Sequence, residues 1–166
     1  RHDILREKEI HARLNKAIEL EGRLTNQRIP ENSIAVLYFV NNSIDASWDA
    51  LAKGFAQLII DDLSAINELR VVNRVELQLL LEKLKFDPTE LNNENLAPRF
   101  GRLLNSQYVV MGRFEIDAKN RIYFNVGILN ISQPEMIETS EFNGRLKEIF
   151  DIEKQITNYI IERVGI

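Results

Sequence analysis

Apolar positions recur along this chain at two spacings, three-to-four and two, and the changes between them mark its elements. In the first 28 residues Ile10, Leu14, Ala17, Ile18 and Leu24 stand at helical spacing among Lys, Arg and Glu, which predicts a helix with a narrow apolar strip. Ile29-Pro30 ends it, because proline disfavours helical geometry in the residue before it. Three placements are open for this helix: on its own domain, against another chain, or as the end of a larger helical region upstream. Ile34 to Val40 is apolar throughout, the pattern of a strand covered on both faces. A polar loop, Asn41–Ser47, follows, with Ser47 the expected N-cap of the next helix and Asp49 an acid in its first turn. In that helix Leu51, Phe55, Leu58, Ile59, Leu63 and Ile66 make a broad stripe broken only by Asp62. Asn67-Glu68 closes it and Leu69–Asn73 is the next strand, so the unit is expected to be a right-handed crossover between parallel strands.

A second helix, Val75–Leu84, puts Leu77, Leu80, Leu81 and Leu84 on one face and is broken at Asp87-Pro88. Pro88 to Asn93 is a polar loop, and Asn93 or Asn95 is the expected cap of a short helix reaching Leu104. The second half is antiparallel. Tyr108–Ile116 and Ile122–Ile131 flank the turn Asp117–Arg121. Pairing Ile116 with Ile122 sets Phe114 opposite Phe124, Gly112 opposite Val126 and Val110 opposite Ile128, one continuous apolar face. A slip of one residue would lose it. The other face, Met111, Arg113 and Glu115 against Gly127, Asn125 and Tyr123, is mixed and expected to be wetter. After the turn Ser132–Glu135, Met136–Phe142 is a more polar strand, expected at an edge, and Asn143-Gly144 ends it. A last helix runs from about Leu146 to Arg163.

The fold class expected is α/β (α+β): a mixed sheet of about five strands, built from a βαβ unit, two helices, an antiparallel meander and a C-terminal helix, with an extra N-terminal helix. The domains expected are 1–30, helix and linker, and 31–166, the α/β domain. Hydrophobic residues at 45% and charged residues at 28% suit a soluble globular core and surface. The net charge of −4 argues against nucleic-acid binding, which needs a basic face. There is no cysteine, which removes disulfides, thiolate nucleophiles and thiolate zinc sites. Ile34–Val40 is too short to span a bilayer as a helix. The chain opens Arg1-His2-Asp3, so a signal peptide or lipid-anchor cysteine upstream is left open.

Ile34-Ala35-Val36-Leu37, Leu51-Ala52-Lys53-Gly54-Phe55, Leu69–Arg74, Leu79–Leu84 and Leu104–Gly112 together resemble the CsgG-like family of curli production, assembly and transport components. Its relatives are the TolB amino-terminal-like domain and the penicillin-binding-protein activator lipoproteins. The resemblance covers about residues 33–164. It implies the α/β domain of those proteins and a place in the Gram-negative envelope, periplasmic, with anchoring to the outer membrane left open. It also implies work as an oligomer, scaffold or protein-binding module in secretion or assembly. Channel-forming members extend long hairpins into a membrane barrel, each strand needing about 9–11 residues in the bilayer. Here the strands are joined by tight polar turns, so a soluble member without a channel is expected.

Candidate chemistry is thin. His2 and His11 are too far apart to share a metal on one helix face. Asp61 and Asp62 point in different directions and read as a solvated helix face. Arg70, Arg74, Arg99 and Arg102 either gather to bind an anion or form paired surface charges. Gly112 and Gly127 give room for a helix or bend, or for close approach of a ligand. No nucleophile elbow, phosphate loop or dinucleotide fingerprint is present. No catalytic, cofactor-binding or metal residue is assigned, and no enzyme activity is expected. The candidate interaction surface is Asn41, Asn42, Asp45 and Trp48, beyond the carboxyl end of the first strand, with Met136, Glu138 and Ser140 on the edge strand. The function expected is envelope scaffolding through protein partners or self-association; a small-ligand sensor with a pocket near Trp48 is the alternative.

Overall fold

A computed structural model describes residues 2–22, 29–87, 90–91, 95–134 and 137–165, with side chains from residue 6 onward. The helices are α1 (His2–Glu19), α2 (Asp49–Ser64), α3 (Arg74–Leu84), α4 (Ala97–Leu103) and α5 (Ile149–Val164). The strands are β1 (Ser33–Val36), β2 (Val40–Asn41), β3 (Arg70–Val71), β4 (Tyr108–Ile116), β5 (Arg121–Asn130) and β6 (Ile137–Arg145). They form a mixed sheet in the order β3-β1-β4-β5-β6, with β2 also paired to β4. β1 is parallel to β3 and β4, so the α2 crossover is the expected βαβ unit. The β4–β5 register is the expected one, from Ile116↔Ile122 through Phe114↔Phe124 and Gly112↔Val126 to Val110↔Ile128.

The expected single strand Ile34–Val40 is instead two. Val36 pairs with Val110 but Val40 pairs with Arg113, so four residues on one strand span three on the other. This is a bulge, which reverses the faces beyond it. Leu37 still donates to the Val110 carbonyl at 2.9 Å. Phe39 then lies on one face against Gly112, whose added Cβ would stand 3.3 Å from its ring and 2.6 Å from the Asn125 carbonyl. Gly112 therefore makes room within the sheet.

α2 and α5 cover the face that carries Phe114, Phe124 and Val126. Phe55 of α2 stacks on Phe124 with centroids 4.3 Å apart, and Phe39 meets both rings. The opposite face is covered at one end. An added Cβ on Gly101 of α4 would meet Ile131 and Val109, and α1 packs on α3 and α4. Leu14 is fully buried, and Ile10, Ala17 and Ile18 lie against the core; Leu24 lies outside the described residues. Arg13 pairs with the buried Glu76 of α3, and Arg99 with Glu21 at 2.6 Å. The far end of this face, around Arg113, Glu115 and Tyr123, is exposed as expected, but Val109 and Met111 are buried.

Several ends differ from expectation. Asp45, not Ser47, caps the 3₁₀ turn Ala46–Trp48 that leads into α2. α2 stops at Ser64, three residues before Asn67. α4 begins after Leu96, which makes no side-chain cap bond, and Asn93 lies outside the described residues. β6 does not end at Asn143-Gly144. Gly144 sits within it beneath Ile152 of α5, whose Cδ1 an added Cβ would meet at 3.0 Å. A 3₁₀ turn, Leu146–Glu148, then opens α5.

Candidate functional site

The loop after β2 is held by its own polar side chains. Asn41 Nδ2 donates to Asp49 Oδ1 at 2.8 Å and to the Asp45 carbonyl at 3.3 Å, and Asn41 Oδ1 accepts from the Ser43 amide at 2.9 Å. Asp45 Oδ1 accepts from the Ser47 amide at 2.9 Å. Ser47, through its amide first and its hydroxyl second, holds the Asp45 carboxyl below the usual range. Asn41 and Asp45 are thus brought together, as parts of the loop's frame. Trp48 is half-buried against the core. Asn42 is exposed beside the open sheet face, and Ile44 stands fully exposed in the loop.

A cavity of about 250 Å³ lies where β2 ends and α2 begins. Tyr38, Phe39, Val40 and Ala52 wall it, and Asp49 and Lys53 supply charge. Lys53 Nζ stands 5.4 Å from the Tyr38 ring centroid, a cation–π distance. The Tyr38 hydroxyl donates to Gln78 Oε1 at 2.8 Å, and burial raises its pKa. Trp48 does not line this cavity.

β6 forms one edge of the sheet, paired only to β5 along Ile137–Arg145. One of its faces meets α5: Phe142 packs edge-on to Tyr159 at 5.5 Å. Glu138 is exposed and pairs with Arg163 at 3.1 Å, Ser140 is half-buried, and Met136 lies outside the described residues. On the other face Glu141 and Asn143 join Arg113, Glu115, Tyr123 and Asn125 around a shallow depression of about 270 Å³.

Asp61 is exposed, as expected, while Asp62 is partly covered. It lies between α2 and α5 beside Glu153, which is 3% exposed. Glu153 Oε2 accepts from Thr157 Oγ1 at 2.9 Å, and Lys154 Nζ donates to Asp62 at 2.7 Å. Burial first, then the bond to Asp62, raises Glu153 to about 7. Asp62 is lowered by that bond and by Lys154. Between the ordinary carboxylate range and pH 7, Asp62 holds the charge and Glu153 the proton. The signal for this pair was Asp62 itself, a carboxylate in an apolar stripe. Its partner could not be read because 92 residues separate Asp62 from Lys154.

The four candidate arginines divide. Arg99 is paired with Glu21, and Arg70 donates to the Asn105 carbonyl at 2.9 Å. Arg74 and Arg102 have no ion pair among the described residues. His11 stands 4.0 Å from Glu7 one helical turn away, while the His2 side chain lies outside the described ones. Among the described residues no three His, Asp or Glu side chains are grouped to hold a metal ion, and no helix is long and apolar enough to cross a membrane.

No family model matches this sequence, and no curated protein matches it. Solved structures match it in fold. The LpoB C-terminal domain from Salmonella enterica superposes with a TM-score of 0.55 at 13% identity, over 82% of this chain and 95% of that one. Lipoprotein GNA1162 from Neisseria meningitidis gives 0.56 at 11% identity, over 80% and 99%. TolB from Acinetobacter baumannii gives 0.54 at 10% identity, over 84% of this chain and 30% of TolB. The fold is therefore that of an activator-lipoprotein domain and of part of TolB, two branches of the expected resemblance. The curli-secretion branch finds no support among these three.

Proposed function

We propose that this chain is a non-enzymatic domain of the Gram-negative envelope that captures a protein partner by adding a strand to β6. The observation that carries the reading is the nine-residue β6 at the sheet edge, paired among the described residues along one side only. Such an edge offers main-chain donors and acceptors to an extended segment. Its exposed side chains, Glu138, Thr139, Glu141, Asn143 and Arg145, include no large apolar group, so specificity rests on charge and register. The envelope placement draws support from the lipoprotein domains that share the fold. Work in secretion or assembly is a finer form of the same reading, inferred from the sequence resemblance alone.

Photo-crosslinking in a Gram-negative host tests it, with the crosslinker at Thr139 and, as control, at the exposed Lys85. The expected result is one discrete adduct from Thr139, absent from Lys85 and lost in E138K/E141K while the melting temperature holds. The same adduct from both positions, or its survival in the charge-reversed variant, would remove β6 from the function.

A small-ligand sensor is the second reading, favoured by the 250 Å³ cavity at the end of β2. It sits where open α/β sheets bind ligands but is smaller than an ordinary pocket. Saturable thermal stabilisation by a nucleotide or metabolite, lost on Ala52→Trp, would favour it.

A further inference from the structure

We infer that the cleft between α1 and α4 is a binding site for a phosphate group carried on an apolar body. The cleft holds about 220 Å³ and is lined by Arg13, Lys16, Ala17, Leu20, Arg102, Leu103 and Asn105. Three of those seven side chains are cationic and none is a carboxylate. A fourth cation stands at the same place: Arg70 donates to the Asn105 carbonyl and acts electrostatically on Arg13. Burial first, and then the neighbouring Arg70 charge, lower the Arg13 pKa.

The acids nearby cancel one charge of this cluster. Glu76 is engaged by Arg13 and Glu21 by Arg99. Lys16 and Arg102 make no ion pair among the described residues. A chain of net charge −4 thus gathers four cations at one cleft and, among the described residues, balances one of them there by an ion pair. Guanidinium groups meet phosphate oxygens through paired hydrogen bonds, and a lysine adds a mobile point charge. Ala17, Leu20 and Leu103 form the apolar wall, which suits an ester substituent beside the charged group. The shared chemistry is a phosphate ester; its source is either a free metabolite or a lipid headgroup at a membrane surface. The inference concerns a different surface from β6 and stands or falls apart from partner capture.

Two probes at constant ionic strength test it: inorganic phosphate against chloride by thermal shift, and cosedimentation with phosphatidylcholine vesicles with and without 30% phosphatidylglycerol. Both are run on the wild type, Lys16→Glu, Arg102→Glu and, as a control of equal charge change, Lys147→Glu on the far side of the domain. Saturable stabilisation by millimolar phosphate, reduced at least tenfold in affinity by K16E or R102E and unchanged by K147E, supports a free phosphate ester. Vesicle binding that needs phosphatidylglycerol, with the same variant pattern, supports a headgroup. Lys16 and Arg102 are only partly covered, so both variants fold, which their circular dichroism checks. Equal losses in K147E, or no binding of either probe by the wild type, overturns the inference.

Discussion

Glu153→Gln removes a buried proton without removing the shape that holds it. Glu153 ionises near 4.5 in an unfolded chain but only near 7 in the fold. Between those values the folded state binds more protons than the unfolded one, so stability falls as pH rises through the window. At about 1.4 kcal/mol per pH unit the fall is on the order of 3 kcal/mol. Asp62 acts elsewhere on the scale. Its carboxyl is lowered, so its contribution is lost only as pH drops below the ordinary carboxylate range. In the glutamine variant Nε2 donates to Asp62 and Oε1 accepts from Thr157, and nothing titrates at position 153. Urea unfolding at half-unit steps from pH 4.5 to 8 measures the difference. For an m-value of about 2 kcal/mol/M the wild-type midpoint falls by roughly 1.5 M urea, while that of E153Q stays nearly level. Parallel curves for the two proteins would refute the reasoning, because they would place the pH dependence in other groups.

Gly112→Ala is expected to cost about 1–3 kcal/mol, since its Cβ would press on the Asn125 carbonyl and the Phe39 ring. Gly54→Ala on α2, with nothing within 4 Å, is expected to gain about 0.5–1 kcal/mol from helix propensity alone; melting curves of the pair check both signs. Leu14→Ala is expected to lower stability by about 2–5 kcal/mol, because Leu14 is fully buried between α1 and the domain. A loss below about 0.5 kcal/mol in denaturant titration would mean that α1 does not belong to the core.

The β4–β5 register was legible because one face is apolar in both strands and any slip exposes it; the structure pairs the same residues. The same rule could not find the bulge. Every position from Ile34 to Val40 is apolar, so no alternation marks the extra residue, and both faces accept what they are given. Gly144 read as a stop because glycine punctuates strands in sequence. Its real reason is tertiary, the approach of Ile152 from a helix that follows in the chain. At the loop after β2 the polar types were in view, but the bonds they make within the loop were not. The Asn41 side chain donates to the Asp49 carboxylate and the Asp45 carbonyl, and the Asp45 carboxylate accepts from the Ser47 amide. The α1–α4 cleft was half legible. Arg70 and Arg102 were in view, but Arg13 and Lys16 come from a helix whose placement no pattern decided.

The sheet is clamped unevenly, and this has a mechanical consequence. Near Val109 and Leu129 it is gripped from both sides, by α4 on one face and the α2–α5 layer on the other. Past Arg113 and Tyr123 only the α2–α5 side is supported. The β4–β6 ribbon is therefore held on both faces at one end and on one face at the other. Its tip, the turn Asp117–Arg121, is tied on that one face, by the buried Ile122 and by the Leu146 amide, which donates to the Asn120 carbonyl at 2.8 Å, while the other end cannot move without opening the core on both faces. Amide protons should accordingly exchange in order from that tip toward Val109.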